Sequence, residues 1–207
     1  APNIARAAQR KGAIILNHCA ARGIERAGGR VSAIIAERGR LGCDAVVLAG
    51  GAWSSLFCAS LGIRLPQLKV LSSVMRTAPV AGGPDPCTYL DDVAYRKRQD
   101  GGYTIARGAG FVAPLVPDSL RYFREFLPNL RRERAALRVR VNAQSLREFR
   151  SPRHWRLDAP SPFEAARVLD PAPNEALNRE AMAAMVRLYP QFRDVQVVQQ
   201  WGGYIDV

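Results

Sequence analysis

The stretch Asp44, Ala45, Val46, Val47, Leu48, Ala49, Gly50, Gly51, Ala52, Trp53, Ser54, Ser55 organises the chain. One acid precedes an apolar run, two glycines stop it, and a tryptophan and paired serines follow. The pattern predicts a buried strand, a tight turn and a helix start. Working outward, residues 2–10 suit a short helix with Pro2 in its first turn and Gly12 at its end, and Ala13, Ile14, Ile15 and Leu16 read as a short strand. Residues 20–26, 30–37 and 41–43, separated by Gly28, Gly29 and Gly39, read as an antiparallel meander feeding the Asp44 strand. Strands alternating with helices imply a parallel sheet whose ligands sit at the carboxyl ends of its strands, where Gly50 and Gly51 lie.

Beyond the pivot, Ser54 or Ser55 is expected to cap a helix running to Leu61, with Gly62 as its stop. A second, antiparallel sheet begins near residue 65. Its expected strands are 69–77, then 89–98 and 103–107 flanking the Asp100-Gly101 turn. Helices are expected at 119–126, ended by Pro128, and at 133–138. The proline-rich link 151–173 reads as irregular. Residues 174–189 give the clearest helix, capped by Asn174 and closed by Pro190, and a strand returns at 195–200.

Composition narrows the function classes. The 207 residues are 48% hydrophobic and 23% charged, ordinary for a soluble globular chain that buries a core without metals or disulfides. No apolar run approaches membrane-spanning length and the first twelve residues lack a signal-peptide core, so a soluble, cytoplasmic protein is expected. Cys19, Cys43, Cys58 and Cys87 form no CxxC, and with His18 and His154 they make no zinc pattern, so unpaired thiols and no metal site are expected. The formal charge of +12 comes from scattered basic residues, all arginine except Lys11, Lys69 and Lys97. Without a basic tail, helix-turn-helix signature or aromatic nucleic-acid platform, it reads as a solvated face or one meeting an acidic partner, not as a nucleic-acid site.

The order of elements, the 44–55 motif, the Asp100-Gly101 hairpin and the late helix followed by Val197, Val198, Gln199, Gln200, Trp201, Gly202 and Gly203 together resemble the FAD-dependent oxidoreductases of the D-amino-acid oxidase, glycine oxidase and sarcosine oxidase group. The resemblance implies an α/β plus α+β fold. Residues 1–64 would be part of a Rossmann-like FAD-binding domain with the meander as an insertion. Residues 65–200 would form an antiparallel-sheet substrate domain with helices, and 201–207 would begin the return to the FAD domain. Members open with a GxGxxG turn at a helix N-terminus. The nearest match here, Gly108-Ala109-Gly110-Phe111-Val112-Ala113, runs into Pro114 and no helix and is a decoy. The chain is therefore expected to be an internal fragment, inactive without the remainder of its parent.

The same resemblance implies FAD as cofactor, with Ala20 and Ala21 beside the adenine and Ala49, Gly50, Gly51 and Trp53 beside the nucleotide. Trp201 and Gly203 would approach the flavin. Taken alone, the glycine pair reads as a plain strand-to-helix turn, which only the resemblance turns into a cofactor contact, and Trp53 reads equally as a core aromatic. The implied chemistry is hydride transfer from an amine or amino-acid carbon to flavin. Relatives place an Arg for the substrate carboxylate shortly after the Trp-x-Gly segment, where this chain has Tyr204 and Ile205. Tyr95 and Arg107 are the substrate-side candidates, and no catalytic residue is assigned. A non-catalytic binding protein of the same fold, using its basic surface, is the alternative.

Overall fold

The computed structural model describes residues 2–109, 111–132 and 137–207. Gly110 of the GxGxxA match and positions 133–136 of the expected 133–138 helix lie outside these residues. The chain opens with α1 (Pro2–Arg10) and a three-stranded antiparallel sheet of β1 (Ala21–Ala27), β2 (Arg30–Ala36) and β3 (Gly39–Gly42). The β1–β2 turn places both Gly28 and Gly29 at positive φ, which a two-residue hairpin matching the strand twist requires. The meander is as expected.

Neither apolar run beside it is a strand. Residues 13–16 and 45–50 have no regular structure, and Ile14 and Val47 are 87% and 91% exposed. A strand exists only by pairing, and among the described residues no neighbour offers either segment a ladder. The chain then turns through a 3-10 segment, Gly51–Trp53, into α2 (Ser54–Ser60). The serines do not cap it. Both lie inside the helix and are buried, and Gln67 does the capping, accepting from the Ser55 N–H at 3.0 Å and donating to the Gly51 carbonyl at 3.2 Å. Gly62, at φ +72, stands past its end as expected.

The larger sheet holds β4 (Lys69–Thr77), β5 (Thr88–Tyr89), β6 (Ala94–Lys97), β7 (Tyr103–Ala106), β8 (Phe111–Pro114), β9 (Leu137–Arg140) and β10 (Val197–Asp206). β4 is its spine: β10 pairs along its whole length, from Val197 with Thr77 to Asp206 with Lys69, while β7 and β8 share its other edge. Every pairing is antiparallel except β8 with β9, so the parallel sheet expected from the strand–helix alternation is not formed among the described residues. β10 passes unbroken through positions 200 and 201, where a domain boundary was expected.

Between β8 and β10 lie α3 (Pro117–Arg121), α4 (Phe123–Arg132), α5 (Ala143–Arg150), α6 (Pro162–Ala165) and α7 (Glu175–Leu188). Pro128 sits inside α4 rather than ending a helix; it forfeits one backbone donor in a helix with no buried residue. Leu137 and Arg138, expected as helix, belong to β9, whose Leu-Arg-Val-Arg alternation is a strand period. On α7, Asn174 Oδ1 accepts from the Ala176 and Leu177 N–H groups, and Leu177, Asn178, Ala181, Ala184 and Met185 form its buried stripe. That stripe covers Met75, Tyr95, Tyr103 and Ile105 of the sheet, with Phe192 closing the core.

Candidate functional site

Strict alternation along the strands gives the larger sheet two chemically different faces. Met75, Ile105 and Tyr95 point to α7, as does Ser73, whose Oγ accepts from the Asn174 N–H at 2.7 Å. Their neighbours Ser72, Val74, Arg76, Thr104, Ala106 and Arg96 point the other way. On β10, Gln200 and Tyr204 share the α7 side, and Gln200 accepts from Asn178 Nδ2 at 2.8 Å. Trp201 pairs with Val74 and Gly203 with Ser72, so these two belong to the opposite face.

The 3-10 segment Gly51–Trp53 packs against β10. Trp53 and Tyr204 border a cleft of about 960 Å³, together with Lys69, Gln144, Glu148 and Glu164. Lys69 Nζ reaches Glu148 Oε1 at 2.6 Å, and Gln144 Nε2 donates to the same oxygen at 2.9 Å, which satisfies a lysine that is only 9% exposed. Burial raises the Tyr204 phenol above its ordinary pKa, so it is a neutral donor at neutral pH.

The structure thus lays Gly51–Trp53 against β10, the strand that carries Trp201 and Gly203, although those two residues face away from the side on which Trp53 and Tyr204 border the cleft. Ala49 is exposed and Gly50 half-buried. Ala20 and Ala21 stay on the meander, where Glu37 Oε2 accepts from the Ala20 N–H at 3.2 Å and Ala21 pairs with Ala36. They connect to the cleft through the next residue: Arg22 forks onto Glu164, which is on the cleft wall. The substrate-side candidates lie elsewhere. Tyr95 is buried under α7 with its hydroxyl 2.6 Å from that of Tyr189, and Arg107 pairs with Glu180 of α7; neither borders the cleft.

A nucleotide cofactor requires close backbone approach, and two of the expected glycines leave room for it. A Cβ added at Gly51, where φ is +50, or at Gly203 would meet no atom within 4 Å. By contrast, Gly202 is packed shut, since its Cβ would come within 2.5 Å of the Pro171 carbonyl.

The model of the FAD dependent oxidoreductase family matches residues 1–207, so the chain belongs to that FAD-dependent family. The L-amino acid deaminase of Proteus myxofaciens, solved in complex with anthranilate, superposes with a TM-score of 0.93 at 34% identity, over 99% of this chain and 46% of that one. The Proteus vulgaris L-amino acid deaminase gives 0.90 at 29% identity, over 98% and 47%. Glycine oxidase from Bacillus cereus, at 13% identity and 0.61 over 98% and 41%, shares the fold. The chain therefore spans about half the length of these relatives. No curated protein sequence matches it. The α/β plus α+β fold read from the sequence is the fold of these neighbours.

Sequence reading missed Gln67, the residue that fastens the Gly50–Gly51 turn, because it acts from twelve positions away. It also missed α5, which supplies Gln144 and Glu148 to the cleft. The signal for α5 was present in Asn142-x-x-Ser145, a capping pair in which Asn142 Oδ1 accepts from the Ser145 N–H at 3.1 Å.

Proposed function

We propose that this chain is the substrate sheet and part of the cofactor-binding region of an FAD-dependent oxidoreductase that oxidises an L-amino acid by hydride transfer to flavin. The observation that carries the reading is the packing of Gly51–Trp53 against β10 in a chain that matches the family along its whole length. In this proposal residues 1–64 belong to the FAD-binding region, 65–200 to the substrate region and 201–207 to the return between them. Gly50, Gly51 and Trp53 lie along the nucleotide, Trp201 and Gly203 border the flavin ring, and Ala20, Ala21 and Ala49 complete the contact. When bound, the cofactor supplies the hydride acceptor. The chain's share is positional: β10 presents an open glycine and a tryptophan plane, and the face of the sheet turned away from α7 holds the substrate. The L-series is favoured by the likeness to the two Proteus deaminases. Anthranilate, found in one of them, is the natural first probe.

The test is anaerobic mixing of L-amino acids with the flavin-loaded protein that carries this chain. Bleaching of the visible flavin bands by L-amino acids, and not by the corresponding decarboxylated amines, is expected. A flavin that stays oxidised across the amino-acid panel overturns the reading.

A further inference from the structure

The face of the sheet turned away from α7 carries one polar row. Gln199 on β10 pairs with Arg76 on β4, Arg76 with Thr104 on β7, and Thr104 with Arg96 on β6. Directly paired residues project to the same side, so four consecutive strands present an amide, a guanidinium, a hydroxyl and a second guanidinium in line. With strands about 4.8 Å apart, the two arginine backbones stand roughly 9.6 Å from each other with Thr104 between them. Among the described residues neither arginine has an ion-pair or hydrogen-bond partner for its side chain, although most acids of this basic chain are engaged by other arginines. Arg76 Nε is also buried without a partner.

Arg96 is exposed and stays solvated, whereas half-buried Arg76 has a buried Nε donor without an acceptor among the described residues. An anion over Thr104 would supply that acceptor. The next row in register, Trp201–Val74–Ala106–Ala94, is apolar and small apart from the indole. The face therefore joins an apolar floor to a cationic edge, which suits a small molecule with an apolar body and a carboxylate at one end.

We propose that Gln199, Arg76, Thr104 and Arg96 form a carboxylate-binding row, with Arg76 as its anchor and Thr104 and Arg96 completing the fork. The assignment rests on the amino-acid reading above for its substrate, but not for its geometry.

Calorimetric titration of the full flavoprotein with benzoate tests it without turnover. Arg76→Met is expected to weaken benzoate binding about tenfold or more, and Arg96→Met by less. Arg76→Lys keeps the charge but not the fork and should fall between wild type and Arg76→Met. If Arg76→Met does not fold, Thr104→Val and Arg76→Lys carry the same comparison. Unchanged benzoate affinity in the folded Arg76 variants overturns the row. Kinetics then separate the two claims. A raised KM for L-alanine with little change in kcat supports the row as the site of the α-carboxylate. An effect of Arg96→Met on L-glutamate alone places the side-chain carboxylate there. Loss of benzoate binding in a protein whose flavin no amino acid bleaches leaves the row standing and defeats the amino-acid reading. Bleaching by amino acids at unchanged concentrations in Arg76→Met does the reverse.

Discussion

The Arg22 guanidinium grips the Glu164 carboxylate at 2.6 Å across 142 positions of sequence, fastening the meander to the far end of the proline-rich link. The clasp is reinforced around its rim. Trp155 Nε1 donates to the Arg22 carbonyl at 2.8 Å, Phe163 stacks edge-on with Trp155, and Arg167 pairs with Glu37. Glu164 also accepts from the Ser161 hydroxyl at 2.7 Å in the capping box of α6, so one carboxylate serves a helix end and a long-range contact together.

The Arg22 hydrogen bond holds the Glu164 pKa down to about 2 from an ordinary 4.5. A depressed carboxylate contributes stability that is complete above its unfolded pKa and is lost as pH falls through its folded one. The clasp's contribution should therefore be full at neutral pH and decline between about pH 4.5 and about pH 2. Urea midpoints measured through that range should fall more steeply for wild type than for Glu164→Gln. The variant should also start lower at neutral pH and open residues 151–170 to limited proteolysis. Parallel pH curves for the two proteins would show that the pair contributes nothing.

Gly202 and Gly203 are adjacent in sequence and opposite in demand. Gly202→Ala drives a methyl into the Pro171 and Ala172 carbonyls and should cost about 1–3 kcal/mol in denaturant unfolding. Gly203→Ala meets open space and should leave stability unchanged, while weakening flavin retention if this face lies against the ring. Equal stability losses for both would contradict the packing described here.

Gln67→Ala removes both bonds that tie the Gly51 carbonyl and the Ser55 N–H to the segment entering β4. A loss of about 1 kcal/mol is expected, in the range of a lost helix cap. Amide exchange should accelerate first at the start of α2. Uniform acceleration across the sheet would point to a different role.

Tyr95 sits at 4% exposure with its hydroxyl on Tyr189 and its ring edge-on to Tyr103 and Tyr189. Tyr95→Phe should lower the thermal midpoint without altering the affinity of the flavoprotein for benzoate or L-alanine. A shift in either ligand's affinity would return Tyr95 to the list of substrate contacts.

Features that need only a few neighbouring residues were readable from the sequence. The Gly28–Gly29 hairpin, the turn at Gly101 and the Asn174 cap of α7 each carry their geometry within one turn of chain. The runs at 13–16 and 45–49 have strand composition, yet pairing is a property of two segments and neither run meets a second among the described residues. The α4 and β9 assignments failed on Pro128 and on a four-residue alternation beside an arginine-rich stretch. The end of the 44–55 stretch lies against β10 through Gly51–Trp53, a contact between segments nearly 150 residues apart. The row through Arg76 was illegible for a different reason: it exists only once four strands, two of them separated by more than a hundred residues, settle their register.

That register has a mechanical consequence at Gly202. A strand can slide by one residue only if every side chain finds room on the face it swaps to, and the Pro171 carbonyl leaves room for a hydrogen atom alone at this position of β10. The glycine works as a keyway against one direction of slip: Trp201 drawn into that slot jams. The same notch therefore opposes the slip that would carry Trp201 across the sheet, and the division of labour between the two faces leans on a side chain that is not there.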